Sequence, residues 1–422
     1  MYNKILSKYI NNELRGDYSG YGLEGIGILI SRLGNPHYSF KSIHVAGTNG
    51  KGTTSSLIAS SLSACGYKTG LYTSPHLLRM NERISISGEE ISDEEIYKYA
   101  VKIDKIITDD EKLRPTYFDI LTAIAFLFFA DSPVDIAVVE TGLGGKLDST
   151  NILIPEVSVI TGISIDHASV LGSTIELIAS EKAGIIKPGV PLVSLCTDKG
   201  SAGIIESAAE INNSPSYIIE RDFDIENITD YENGYKFNYT FYQIPEKLEG
   251  LVIPLRPEHQ VKNAAAALTA LMLLRHRGYT GITSSSLFNA FSTISLPGRF
   301  QVLKNNPLIL FDAAHNYSAL LNLFDCIDRH YGNRTLKVIL SIMGDKINDD
   351  VKNILYQKKD SILYFIFKDE RLYIPSDGEF RQVTSEIDTI HKFIASAGED
   401  DLVLFTGTFR LYKHALDIIT RF

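Results

Sequence analysis

The chain has 422 residues, 44% hydrophobic and 22% charged, with 41 Lys plus Arg against 51 Asp plus Glu and a net charge of −10. At roughly 150 residues per domain, this length predicts two or three domains, each with its own core. The composition excludes a disordered or fibrous chain, and the acidic balance argues against a nucleic-acid partner, since nucleic-acid backbones are held mainly by excess Lys and Arg.

The N-terminal stretch MYNKILSKYINNELRG lacks a continuous apolar segment followed by small residues, so no secretory signal is expected. Strands and helices then alternate. Ser42–Ala46 reads as a short strand, Thr54–Ala64 as a helix, Phe118–Ala130 as a helix and Asp135–Glu140 as a strand. Val157–Thr161 and Val190–Leu195 continue the strands, with Thr174–Ala183 as a helix between them. This order predicts βαβ units and a mostly parallel sheet covered on both faces. Tyr235–Tyr242 alternates polar and aromatic side chains, which predicts a small antiparallel excursion, and a long helix runs from about Gln260 to Arg277. Leu296-Pro297-Gly298 punctuates the chain as a linker, after which Leu308–Phe311, Thr335–Ile342, Ile362–Phe367 and Leu402–Phe405 read as strands separated by helices.

The expected fold is therefore α/β, with a boundary near residue 297. Residues 1–297 form a P-loop-type domain with a mostly parallel sheet and the antiparallel excursion; residues 298–422 form a smaller Rossmann-like α/β domain. The apolar runs Ala123–Ala130 and Ala264–Leu274 fall far short of the roughly 20 residues that cross a bilayer, so no membrane association is expected. Cys65, Cys196 and Cys326 fit neither a disulfide framework nor a zinc site, and a reducing cytoplasm is the expected compartment.

The strongest local signal is Val45-Ala46-Gly47-Thr48-Asn49-Gly50-Lys51-Gly52-Thr53-Thr54, lying between a strand and a helix. Glycines let backbone N–H groups turn inward, the helix N-terminus offers unpaired donors and Lys51 adds a point charge, which together suit a phosphate cradle. The strict pattern G-x-x-x-x-G-K-[ST] is not met, because Val45 stands at the first glycine and Gly52 follows the lysine. The plain alternative is a Gly-rich turn at a βα junction.

The segment His44–Thr53 resembles the ATP loop of the Mur ligase superfamily, in its folylpolyglutamate synthase and dihydrofolate synthase branch. Seven further segments match the same branch in order. They are Tyr72–Leu77 with Asn81–Ile84; Glu140–Asp148; Asp166-His167; Glu181–Ile185; His259-Gln260 with Asn263; Pro297-Gly298-Arg299; and Asp312–Asn316. The resemblance implies an ATP-dependent ligase that adds L-glutamate to a folate or dihydropteroate acceptor through an acyl phosphate. It also implies two Mg²⁺ ions held by hard oxygen ligands, and leaves a monovalent cation open.

The same resemblance implies roles for single residues. Asn49, Gly50, Lys51, Gly52, Thr53, Asn263, Arg299 and Asp312 would contact ATP, Arg299 at the γ-phosphate as the second domain closes about Pro297-Gly298. Ser74, Glu140 and His167 would ligate metal; Lys182 would be carbamylated; His315 and Thr408 would meet the incoming glutamate. Gly20–Glu24 (with Gly22 and Leu23), Thr116, Phe118, Asp119, Leu147, Asp148 and Ser149 would line the acceptor pocket. Glu140 alternatively reads as a capping or salt-bridging acid, Lys182 as a surface pair with Glu181, Arg299 as a linker salt bridge, and Phe118 as core. Lys146 stands where Arg is usual, Asp119 replaces Glu, Ala313 replaces Gly and Tyr317 replaces Pro, while Met343–Lys346 and Thr406–Phe409 are variant. These departures bear on substrate preference, not reaction class.

A peptidoglycan-type Mur ligase usually carries a further domain ahead of the ATP loop, whereas only 46 residues precede Gly47 here. A P-loop NTPase acting as switch or motor would need the strict loop, and a non-catalytic nucleotide module would leave Lys51, Glu140, His167 and Lys182 unexplained. A monomer working on small-molecule substrates is expected.

Overall fold

In the computed structural model, residues 2–9, 22–110, 112–243, 246–384 and 387–422 are described. The chain divides into two compact units, Met1–Pro254 with Gln260–Ile294, and Leu255–His259 with Ser295–Phe422. The short segment Leu255–His259 thus groups with the second unit, although the sequence reading kept it in the first domain.

The first unit is built on strands β1 (Lys41–Ala46), β2 (Thr69–Tyr72), β3 (Ile84–Ile86), β4 (Glu89–Glu90), β5 (Ile136–Glu140), β6 (Val157–Ile160), β7 (Leu192–Ser194) and β8 (Ser216–Ile218). Their spatial order is β4-β3-β2-β5-β1-β6-β7-β8. The run from β2 to β8 is parallel, while β3 and β4 pair antiparallel at one edge. Central strands β1, β5 and β6 are buried along almost their whole length, as parallel strands with helices on both faces must be. The helix Tyr117–Asp131 is enclosed over most of its surface, with Ile120, Leu121, Ile124, Phe126 and Phe129 at 1% exposure or less. That explains why its apolar residues show no helical stripe: a helix surrounded by core needs no polar face.

A separate sheet of β9 (Phe223–Tyr231), β10 (Gly234–Phe241) and β11 (Glu246–Ile253) is an antiparallel meander with β10 in the middle. Phe237, Tyr239 and Phe241 of β10 are buried, so the aromatic alternation of Tyr235–Tyr242 marks one covered face.

The second unit has β12 (Gln301–Asn305), β13 (Leu308–Asp312), β14 (Thr335–Leu340), β15 (Ile362–Ile366), β16 (Arg381–Thr384) and β17 (Asp401–Thr406) in the order β12-β13-β17-β14-β15-β16. Only β12 runs antiparallel to its neighbour. Its core gathers Leu310, Leu320, Leu323, Val338, Leu340, Leu402 and Leu404. No helix among the described residues is long and apolar enough to cross a membrane, and the three cysteines are free.

The short strand β2 and the edge strands β3 and β4 escaped the sequence reading, since three- and four-residue runs carry too little periodicity. Val190–Leu195 shortens to Leu192–Ser194 where ladder pairing stops.

Candidate active site

In the parallel sheet β2, β5, β1 and β6 lie side by side, so the segments leaving their carboxyl ends emerge together, where open α/β sheets collect ligands. Ser74 follows β2, Glu140 is the last residue of β5, the Gly47–Gly50 loop follows β1, and the segment from Thr161 to His167 follows β6. Glu140 is in register with Val45, and the N–H of Thr141 donates to Val45 O at 2.9 Å.

The loop itself permits no side chain at two positions. A Cβ on Gly47 (φ 154°) would stand 1.8 Å from Thr161 Oγ1, and one on Gly50 (φ 87°) 2.3 Å from Asn263 Oδ1. Gly50 also occupies the left-handed conformation just before the helix Lys51–Ala64, turning the chain so that first-turn amides face outward from the helix end. The loop is fastened to the β6 segment: Thr48 N donates to Gly162 O (2.9 Å), and Thr48 Oγ1 donates to Ser164 O (3.0 Å) while accepting from Ser164 N (3.1 Å). Thr161 Oγ1 donates to Asn49 O at 2.7 Å, and Asn49 Nδ2 donates to Ser164 Oγ at 3.3 Å. Thr48, Thr161 and Ser164 were missed from sequence, where hydroxyls at strand ends carry no distinguishing signal. Asn263 supports the loop from the helix His259–His276, its amide donating to Gln260 Oε1 at 2.9 Å. Thr53 is buried within the first helical turn.

Two ammonium groups share one carbonyl: Lys51 Nζ donates to Gly47 O at 3.0 Å and Lys182 Nζ donates to the same oxygen at 2.8 Å. Lys182 is 3% exposed, which rules out a surface pair with Glu181. Burial, reinforced by the Lys51 charge, lowers its pKa to about 7. The position of Lys182 follows from close packing of the Gly-rich turn on its helix: a Cβ on Gly145 would stand 2.8 Å from Glu181 O, and one on Gly184 2.4 Å from Lys146 Cα. Asn151 ties both sides, donating to Lys146 O (2.9 Å) and Gly184 O (3.0 Å).

Glu140 is 3% exposed, and its Oε2 lies 3.5 Å from where a Cβ on Gly52 would stand, which sets the carboxylate against the N-terminus of the helix Lys51–Ala64. A phosphate on the same amides would bring a second anion there, and a bridging divalent cation is what relieves that repulsion. Ser74, Glu140 and His167 lie at or beyond the carboxyl ends of neighbouring strands, and their hydroxyl, carboxylate and imidazole are donor types that fit a divalent cation. Among the described residues no group of three or more His, Cys, Asp or Glu side chains is gathered that could hold a metal ion by itself. His167 is in the left-handed conformation (φ 50°), its N–H donating to Asp166 Oδ1 at 2.8 Å.

The acceptor-side residues also come together, but not all as contacts. Asp119 is 1% exposed: Thr116 N donates to it at 2.7 Å and Ser149 Oγ at 2.6 Å, while Asp119 N donates back to Thr116 Oγ1. Its carboxylate completes a capping box, and burial raises its pKa against those hydrogen bonds. Gly25, two residues after Leu23, is close enough that a Cβ would stand 3.2 Å from Asp119 Oδ2, so the start of the helix Leu23–Arg32 joins this group. Gly20 and Tyr21 lie outside the described residues. Asp148 is enclosed, accepting from Leu143 N (2.8 Å), Thr150 N (3.0 Å) and Thr150 Oγ1. Thr150 in turn meets His44 Nε2 at 2.7 Å; since its proton goes to Asp148, the buried imidazole donates through Nε2–H. Asp119, Asp148 and Ser149 are thus held inside the fold by these hydrogen bonds. Phe118 is half-buried, stacked on Tyr72 with ring centroids 5.8 Å apart, and it covers Gly142, where a Cβ would stand 2.5 Å from Cζ. Leu147 is 36% exposed at the turn's surface.

In the second unit, Asp312 ends β13 with Phe300 N and Ala314 N each donating to it at 2.8 Å. It is 6% exposed; burial raises its pKa and the nearby Arg299 charge opposes the rise. Asp312 thereby pins the strand end to the segment carrying Arg299. Among the described residues Arg299 forms no salt bridge; its guanidinium sits 4.8 Å over the Phe409 ring. His315 lies on the same ring, centroids 5.8 Å apart, with Nδ1 2.7 Å from Ala313 O. Thr408 is buried beside it, accepting from Arg410 N at 3.3 Å.

The fold and this strand-end cradle define an α/β ATP-dependent ligase. Two family models match the chain: Mur ligase middle domain over residues 45–271 and the Mur ligase glutamate ligase domain over residues 298–409. A Bacillus subtilis dihydrofolate synthase/folylpolyglutamate synthase is 35% identical over 92% of this chain and 92% of its own. Mycobacterium tuberculosis folylpolyglutamate synthase, solved with ADP and AMPPCP, superposes with a TM-score of 0.85 at 28% identity, covering 95% of this chain and 96% of its own. E. coli FolC in complex with DHPP and ADP gives 0.83 at 28% identity over 95% and 94% of the two chains. The chain belongs to the Mur ligase family, in its dihydrofolate synthase/folylpolyglutamate synthase branch.

Proposed function

We propose that the chain is an ATP-dependent ligase that adds L-glutamate to a folate-type acceptor, either dihydropteroate or a reduced folate, giving ADP and phosphate. The observation that carries this reading is the convergence on one helix N-terminus of the Gly47–Gly50 cradle, Lys51, Lys182 and the Glu140 carboxylate. An acceptor carboxylate attacks the γ-phosphorus of ATP, the bond to ADP breaks, and an acyl phosphate forms. The glutamate amine then attacks the acyl carbon, losing a proton as phosphate leaves. Such a reaction needs positioned positive charge more than a strong nucleophile.

Asn49, Gly50, Lys51, Gly52 and Thr53 offer the triphosphate backbone amides and one ammonium, with Asn263 and Arg299 serving the nucleotide as well and Asp312 fixing the segment that carries Arg299. Magnesium, when bound through Ser74, Glu140 and His167, supplies charge that neutralises the transferring phosphoryl group. Lys182 holds a neutral amine near pH 7, the form that adds CO₂ to give a carbamate and release a proton; a carbamate there adds a negative charge for orienting metal. His315 and Thr408 orient the glutamate. Gly22, Leu23, Thr116, Phe118 and Leu147 form the acceptor's walls, with the flat heterocycle against the Phe118 ring. Lys146, lacking the fork of an arginine, holds any anion there as a point charge alone.

The test is glutamate-dependent ADP release with dihydropteroate and tetrahydrofolate offered separately, the products weighed by mass spectrometry. A product heavier by one glutamyl residue with either acceptor is expected. ADP release indifferent to both glutamate and acceptor would instead make the chain a nucleoside triphosphatase.

A further inference from the structure

The variant segment Thr406–Phe409 puts an aromatic ring directly under a cation whose donors are otherwise uncommitted. Among the described residues Arg299 makes no side-chain hydrogen bond and no ion pair within 4 Å; its neighbour is the face of Phe409, 4.8 Å from the guanidinium carbon. A guanidinium held over a ring face is fixed without an ion pair, so its five N–H groups stay available. An ion pair would fix the same cation by consuming those donors. The other surroundings fit: His259 is buried and held well below its usual range, to about 4, by desolvation and by the Arg299 charge, so it stays neutral and does not compete for an anion. Asp312 has both oxygens occupied by Phe300 N and Ala314 N, which leaves it as a charge that steadies Arg299 without binding it. The His315 ring rests on the same phenyl group.

We propose that Phe409 is a positioning residue of the ligase reaction: its ring face holds the Arg299 guanidinium without engaging its N–H groups, ready for an anionic oxygen of the transferring phosphoryl group. This rests on the reading of Arg299 as an ATP contact. Gly407 sets the ring's place, since its φ of 108° and a would-be Cβ 2.2 Å from Ser341 O leave the chain one path from β17 into residue 408.

The experiment compares full-length wild type with Phe409→Leu, Phe409→Tyr, Arg299→Ala and the Phe409→Leu/Arg299→Ala double variant. The kcat/KM for ATP is measured at saturating glutamate and acceptor, with thermal unfolding monitored in parallel to show that each variant is folded. Phe409→Leu should lower kcat/KM about five-fold, Phe409→Tyr should restore most of it, and Phe409→Leu should have no further effect once Arg299 is removed. An equal loss from Phe409→Leu in both backgrounds would show that the ring acts independently of Arg299 and overturn the proposal. So would a Phe409→Leu variant with wild-type kinetics beside a defective Arg299→Ala. Wild-type kinetics for Arg299→Ala alone would remove the reading of Arg299 itself, and the role of the ring with it.

Discussion

Lys182 concentrates the chemistry of the site into one side chain. It is enclosed, shares Gly47 O with Lys51, and titrates near 7 because burial penalises its charged form. In the unfolded chain the same amine titrates near 10.5, so between about pH 7 and 10.5 the unfolded state binds the extra proton and stability rises with pH. Lys182→Met should remove that rise, worth about 1.4 kcal/mol per pH unit in the difference between variant and wild type, as read from urea unfolding at several pH values. Lys182→Ala should abolish ligation, with partial rescue by short carboxylic acids; activity unchanged in that variant would eliminate the lysine from the mechanism. Sequence alone marked Lys182 by its motif but left a surface pair with Glu181 open, because an isolated Glu-Lys dipeptide in a helix does not reveal which face the fold covers.

Among the elements, β1 does more than lead into the phosphate loop. His44 in its middle, Thr150 and Asp148 form a buried hydrogen-bonded string that joins this strand to the Gly142–Gly145 turn carrying the approach to Lys182. Thr150→Val keeps the shape, yet strips a donor from a buried carboxylate and an acceptor from a buried imidazole. It should cost about 2 kcal/mol and lower the thermal midpoint by several degrees, while Thr150→Ser should cost less. The strands and helices of this layer were legible because their apolar runs are long or strictly placed: Val157–Thr161, Thr335–Ile342 and the helix from Gln260 appear within a residue or two of their expected bounds. The string was not legible, since His44 lies more than a hundred positions before Asp148 and Thr150 and meets them only through the β1–β5 and β1–β6 pairing.

For the whole molecule, a ligand that binds only the folded chain must stabilise it. A non-hydrolysable ATP analogue at about a hundred times its Kd should add about 2.7 kcal/mol and raise the melting temperature by several degrees. Gly47→Ala should lose that shift, because the new methyl carbon would overlap Thr161 Oγ1. A variant that keeps the shift would place the nucleotide elsewhere. The net charge of −10 is compatible with this anionic ligand because positive charge is placed locally: the Lys51 ammonium stands at the loop, donating to Gly47 O.

Reaction class and branch could be read from the linear chain through the resemblance of its motifs to a known family, and the order of βαβ units because the spacing of apolar runs is a local property that survives unfolding. The division of labour within the motifs could not. Asp119, Asp148 and Asp312 resemble substrate contacts as letters, yet each is enclosed and has its oxygens engaged by neighbouring amides and hydroxyls. Burial and hydrogen-bond satisfaction depend on what distant segments bring alongside, so packing alone set the surroundings of each acid: Glu140 against the N-terminus of the helix Lys51–Ala64, the other three among amides and hydroxyls that donate to them.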